Sequence, residues 1–121
     1  MRMKNLFSSF YLIALFWKIL FWNYVEGDNM RKFAVIIPSL LSLTFISYSC
    51  SDGYVIDTPS LKCFKATDLN KNSSCLIANM PKLDEAHIRA SGFHKIKKLL
   101  EPVTSVKRLS LRILENSAEV I

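Results

Sequence analysis

The chain has 121 residues and a formal net charge of +6, and it is 50% hydrophobic and 21% charged, with three glycines and four prolines. Those figures exclude an acidic disordered tail, a collagen-like repeat and a glycine-rich linker. The length suits one small domain or membrane segments with a short tail, and the charge points to anionic partners or a membrane surface.

The composition divides near residue 50. Residues 1–49 hold 30 of the 61 apolar residues and 11 of the 14 aromatics, while residues 50–121 hold all three cysteines and 19 of the 26 charged residues. This split predicts an apolar N-terminal segment (1–29), a second apolar segment (30–49) and a small, water-facing, cysteine-containing tail (50–121).

In residues 6–25, 16 of 20 positions are apolar. A helix of 20 residues rises about 30 Å, the hydrocarbon thickness of a bilayer. Lys18 is off-centre and can snorkel, and Trp17, Trp22 and Tyr24 gather toward one end like an interfacial belt. Arg2 and Lys4 favour a cytosolic N-terminus. A second uncharged run, residues 33–49, follows Met30-Arg31-Lys32 and has the layout of a secretory signal peptide, with Ser47 and Ser49 before Cys50. The same run could instead be a second transmembrane helix, paired with the first as a hairpin, with Pro38 bending it.

Cys50, Cys63 and Cys75 fall within 26 residues, a concentration that suggests disulfide chemistry in an oxidising compartment. Cys63 and Cys75 are the disulfide candidates, and a bridge between them would contribute roughly 3 kcal/mol in the chain-entropy model. Cys50 is the candidate for lipidation or a free thiol, because Cys50-Ser51-Asp52 after an apolar run resembles a bacterial lipoprotein start. Asn72-Ser73-Ser74 is a glycosylation acceptor pattern in a polar loop. No Cys-x-x-Cys or His-x-x-x-His pair is present, so no metal is expected. Residues 50–64 resemble the opening of a C-type lectin-like domain. The 57 residues that follow are too few for the rest of that fold, so neither sugar nor calcium binding is implied.

Within the tail, residues 54–56 and 62–64 suit short strands separated by a turn at Thr58-Pro59-Ser60. Residues 76–80 form a short apolar run ended by Pro81. A helix is expected from Asp84, broken at Ser91-Gly92. A second, over residues 93–100, should bury Phe93, Ile96, Leu99 and Leu100 on one face. Leu109, Leu111 and Ile113 alternate with polar residues, but Val103, Val106, Leu109 and Ile113 also form a helical stripe, and helix is favoured. Residues 111–116, Leu-Arg-Ile-Leu-Glu-Asn, resemble one leucine-rich repeat. A single repeat cannot bury its own core, so no array is predicted from it.

Lys95, Lys97, Lys98, Lys107, Arg108 and Arg112 are candidates for docking to an anionic surface. His87 with Asp84 is ordinary helix decoration rather than a proton-transfer pair. No phosphate loop, nucleophile elbow or paired-carboxylate pattern is present, so no catalytic residue, cofactor, nucleic acid or small-molecule substrate is expected.

The whole reads as mainly α: two N-terminal apolar helices, as membrane or signal segments, then a small, mostly helical α+β tail. The expected function is that of a small non-enzymatic membrane-associated or secreted protein, with membrane lipid and an unidentified protein as partners. It would present its cysteine-containing tail outside the cytosol. The alternatives are a two-span membrane protein with a cytosolic basic tail, or a fragment of an extracellular recognition domain.

Overall fold

The described residues of the N-terminal apolar runs do not form helices. In the computed structural model, which describes residues 2–3, 9–13, 18–23, 32–47, 53–69, 75–103 and 106–114, they are strands of a parallel solenoid. The strands are β1 (Arg2–Met3), β2 (Ser9–Ile13), β3 (Ile19–Asn23), β4 (Lys32–Ile36), β5 (Ser42–Ser47), β6 (Tyr54–Asp57), β7 (Cys63–Asp68), β8 (Cys75–Ile77), β9 (Glu85–Ala90) and β10 (Arg108–Ile113). One helix, α1 (Phe93–Leu100), precedes β10.

Successive strands alternate between two sheets. The six-stranded sheet has the order β1-β3-β5-β7-β9-β10 and the four-stranded sheet β2-β4-β6-β8, with every pairing parallel. Each circuit through both sheets is one rung. Ile19, Ser42, Cys63, Glu85 and Arg108 stand in one ladder position, at intervals of 23, 21, 22 and 23 residues. In the last rung α1 takes the place of a strand of the four-stranded sheet and contacts β8, β9 and β10.

The same turn recurs in each rung. The Leu40 amide donates to the Ile37 carbonyl (3.2 Å), Leu61 to Thr58 (3.1 Å), Leu83 to Met80 (3.3 Å) and Val103 to Leu100 (2.9 Å). In the first three, Pro38, Pro59 and Pro81 occupy the second turn position, where proline's fixed φ is already correct. The turn leucines Leu40, Leu61 and Leu83 are buried and stack on one another's rungs. After each turn one carbonyl accepts two amides of the next rung. Lys18 receives Leu41 and Ser42, Leu41 receives Lys62 and Cys63, Lys62 receives Asp84 and Glu85, and Asp84 receives Lys107 and Arg108. At the other edge, Gly53 opens β6 at φ 86°, a left-handed conformation that glycine adopts without strain, and its carbonyl accepts the Phe33 amide.

A single core runs through the stack. From the six-stranded sheet come Leu20, Leu43, Phe45, Phe64, Ala66, Ala86 and Ile88; from the four-stranded sheet come Phe33, Val35, Tyr54 and Ile56. The Phe33 and Tyr54 rings stack at 4.8 Å, and the Phe45 ring meets Tyr54 edge-on at 5.2 Å. Aromatics from both sides of position 50 therefore share one cluster.

This architecture corrects the mainly-α expectation. Residues 33–47, expected as a signal peptide or second membrane helix, supply core residues Phe33, Val35, Ile37, Leu40, Leu43 and Phe45. Their physical signature is ambiguous: in β4 the successive residues Phe33, Ala34 and Val35 are all buried, and such an uncharged apolar run reads like a membrane helix. Within residues 6–25, the described stretches are β2, Lys18 and β3, so no helix fills that span either. Trp17, Tyr24 and the Trp22 side chain lie outside the described residues. Among the described residues, no helix is long and apolar enough to cross a membrane. The expected helix from Asp84 is strand β9, and the favoured C-terminal helix is strand β10. The helix over residues 93–100 forms as expected, but with a different inward face: Lys95, Ile96 and Leu99 are buried, while Phe93 is 68% exposed.

Candidate functional site

Side chains alternate across a strand, so each strand of the six-stranded sheet sends half its residues outward. Register then lines those residues into rows. One row runs Ser42, Cys63, Glu85, Arg108. The next runs Phe21, Thr44, Lys65, His87, Ser110, and the third runs Ile46, Thr67, Arg89, Arg112. Thr44, Ile46, Lys65, Thr67, His87 and Arg89 line a cleft of about 320 Å³ on this outer face.

Glu85 stands beside the cleft and holds His87, one of its lining residues. Its Oε2 lies 3.0 Å from His87 Nε2 and its Oε1 lies 3.0 Å from Arg108 Nη2. The hydrogen bond from His87, with further help from Arg108 and Cys63, outweighs partial desolvation and holds the Glu85 carboxyl below the usual carboxylate range. The Cys63 thiol donates to Glu85 Oε2 at 3.6 Å. Burial and the neighbouring Glu85 push that thiol up, the opposite of what an activated nucleophile needs. Lys65, Arg89 and Arg112 make no ion pair among the described residues. Among those residues there is also no cluster of three or more His, Cys, Asp or Glu able to hold a metal.

A second polar group lies inside the solenoid. The Tyr54 hydroxyl donates to Asp68 Oδ2 at 2.8 Å, and Lys95 Nζ of α1 approaches the same oxygen at 3.5 Å, with the Lys95 and Asp68 side chains 6% and 0% exposed. Burial, then the Asp68 charge, raises the Tyr54 hydroxyl well above its ordinary range, so it remains a donor. Cys75 adjoins this group, its thiol pushed up mainly by burial. The network ties α1 to strands of both sheets.

The expected site residues are dispersed. Cys63 opens β7 beside Glu85, whereas Cys75 opens β8 beside Tyr54 and Asp68 at the far end of β7; both thiols are free, so no bridge joins them. Cys50 and Asn72 lie outside the described residues. The six basic candidates do not form one surface. Lys95 is buried against Asp68, Lys97 and Lys98 are exposed on α1, and Lys107 is paired with Asp84 at 4.0 Å. Arg108 is held by Glu85, and Arg112 stands outward on β10 opposite Arg89. Lys65, Arg89, Thr44 and Thr67 were not anticipated. The signal for them was alternation within each strand, combined with the 21–23-residue register that places one strand beside the next.

The chain is similar to several Arabidopsis thaliana proteins. It is 64% identical over 97 residues to an F-box/FBD/LRR-repeat protein, covering 78% of this chain and 21% of that protein. It is 62% identical over 95 residues to an FBD-associated F-box protein (77% and 19%) and 50% identical over 95 residues to another of that description (77% and 24%). The chain thus spans about a fifth of the length of the curated relatives it matches. No family model and no solved structure matches it.

These likenesses, with the strand architecture, overturn the expectation of a membrane-associated or secreted protein and its membrane and lipoprotein descriptors. The relatives are named for F-box, FBD and repeat modules, and among the described residues Leu20 and Phe33, Val35, Ile37, Leu40, Leu43 and Phe45 of the apolar runs lie in the solenoid core. The membrane-lipid partner, the extracytoplasmic placement of the tail and the two-span and extracellular-domain alternatives are withdrawn with it.

Proposed function

We propose that this chain is a stretch of stacked repeats that binds a protein partner, within an adaptor of the F-box type, and that it is not itself an enzyme. The observation that carries the reading is the outer face of the six-stranded sheet: parallel rungs in register present rows of mixed side chains around an open cleft. Solenoids use such extended faces for binding, because each added rung lengthens the surface without altering its neighbours. The repeat-bearing names of the relatives support the same assignment. The raised Cys63 thiol and the open cleft of mixed lining offer binding groups rather than an activated nucleophile.

A photocrosslinking side chain at Thr44 or Thr67 should capture the partner of the full-length protein. The same group at Asp57, on the outer side of the four-stranded sheet, should not. Equal capture from both faces, or capture from Asp57 alone, would overturn the assignment.

A further inference from the structure

The outer face is chemically graded along the stack. At β3 it shows Ile19 and Phe21, 64% and 38% exposed. Over β7, β9 and β10 it shows Lys65, Arg89 and Arg112, none engaged by an acidic group among the described residues. The one acidic side chain in the outward rows of these strands, Glu85, is already held by His87 and Arg108. Arg89 and Arg112 are directly opposed in the ladder, and Lys65 is opposed to His87. Like charges opposed across strands destabilise a sheet. A sequence free to relax this face would place a carboxylate at one of the Arg89–Arg112 pair.

The spacing of the three cations selects the ligand. Adjacent strands lie about 4.8 Å apart and alternate residues about 6.6 Å apart, so Lys65 and Arg89, diagonal across two strands, stand about 8 Å apart. Arg112 lies one strand further. Arg89 and Arg112 thus stand side by side with Lys65 set off diagonally, and the three charges extend over two strand spacings, about 10 Å, a span that suits separate carboxylates on an extended chain. From β3 to β10 is four strand spacings, about 19 Å, or about six extended residues. Resting on the reading of this face as the partner-binding surface, we propose that it takes an extended acidic peptide segment of the partner. The segment crosses the strands with an apolar residue over Ile19 and Phe21 and carboxylates over Lys65 and the Arg89–Arg112 pair.

The test uses the full 121-residue chain and a fluorescent decapeptide of alternating Glu and Ser with one terminal Leu, read by anisotropy at two salt concentrations. Binding should weaken as salt rises. It should be lost when Gln replaces Glu in the peptide, and it should fall at least tenfold in the K65E/R89E variant. That variant should instead bind a Lys-Ser version of the peptide, a gain that an unfolded protein cannot show. Equal binding of the Gln peptide, or an unchanged affinity in K65E/R89E, would overturn the proposal. So would stronger binding of a single-stranded oligonucleotide of equal charge, or of phosphatidylserine vesicles, abolished by the same substitutions. If Thr44 crosslinking still captures the partner while the charge reversals change nothing, the partner-binding reading stands and the acidic-segment proposal alone fails.

Discussion

At the scale of single residues, the side chain that departs furthest from its sequence reading is Lys95. The helical stripe of Phe93, Ile96, Leu99 and Leu100 assigns it to the opposite, basic face with Lys97 and Lys98, yet it points inward to Asp68. No local pattern marks it, because its partner is 27 positions earlier, on β7. Removing one member of a buried ion pair leaves the other uncompensated, typically at about 3–5 kcal/mol. Asp68→Ala should therefore lower the unfolding free energy measured by chemical denaturation by an amount in that range, and Lys95→Met should be milder than Asp68→Ala, because Tyr54 still donates to Asp68. A pH effect belongs to Glu85. Its carboxyl is depressed in the folded state, so its stabilising contribution is complete above the ordinary glutamate range and is lost as pH falls through the lower folded value. Melting temperatures of the wild type and Glu85→Gln should therefore differ by a constant amount from neutral to mildly acidic pH. The gap should close only in more acidic solution; closure between pH 7 and 6 would contradict this arrangement.

At the scale of elements, the strands β6 and β7 and helix α1 were legible in the sequence, because short apolar runs near Pro59 and a 3.6-residue stripe after Gly92 carry clear periods. The strands β4 and β5 were not. Phe33, Ala34 and Val35 are all buried, so no alternation shows, and an uncharged run of that kind equally describes a lipid-facing helix. Strand β10 showed its alternation plainly, but it lacked a visible partner; the partner is β9, a segment read as helix because Asp84 and Glu85 resembled a first turn. The orientation of α1 gives a sharp comparison. Phe93→Ser should change stability by less than about 0.5 kcal/mol, as exposed substitutions do, while Ile96→Ala, at a residue 4% exposed, should cost about 2–4 kcal/mol. The reverse order in urea denaturation would place the helix the other way round.

At the scale of the whole molecule, the repeat is carried in the sequence by its turns rather than by its strands. Pro38-Ser39-Leu40, Pro59-Ser60-Leu61 and Pro81-Lys82-Leu83 recur at intervals of 21 and 22 residues, each placing a proline at the turn and a leucine in the core. A single leucine-rich fragment such as residues 111–116 cannot bury itself; its described part, in β10, pairs with β9 of the preceding rung. Rungs contact mainly their neighbours, so stability should vary along the stack. Amide exchange should be slowest in β5 and β7, which are paired on both sides, and fastest in β10, whose outward edge is unpaired among the described residues. Uniform protection across all strands would argue against a stack of semi-independent rungs. The doubly accepting carbonyls of Lys18, Leu41, Lys62 and Asp84 carry one last implication, for descent rather than stability. Each rung presents its successor with the same socket, so gene segments encoding whole rungs can be duplicated, lost or exchanged without redesigning the joint, and the reach of the outer face is free to change by whole steps while its rows stay aligned.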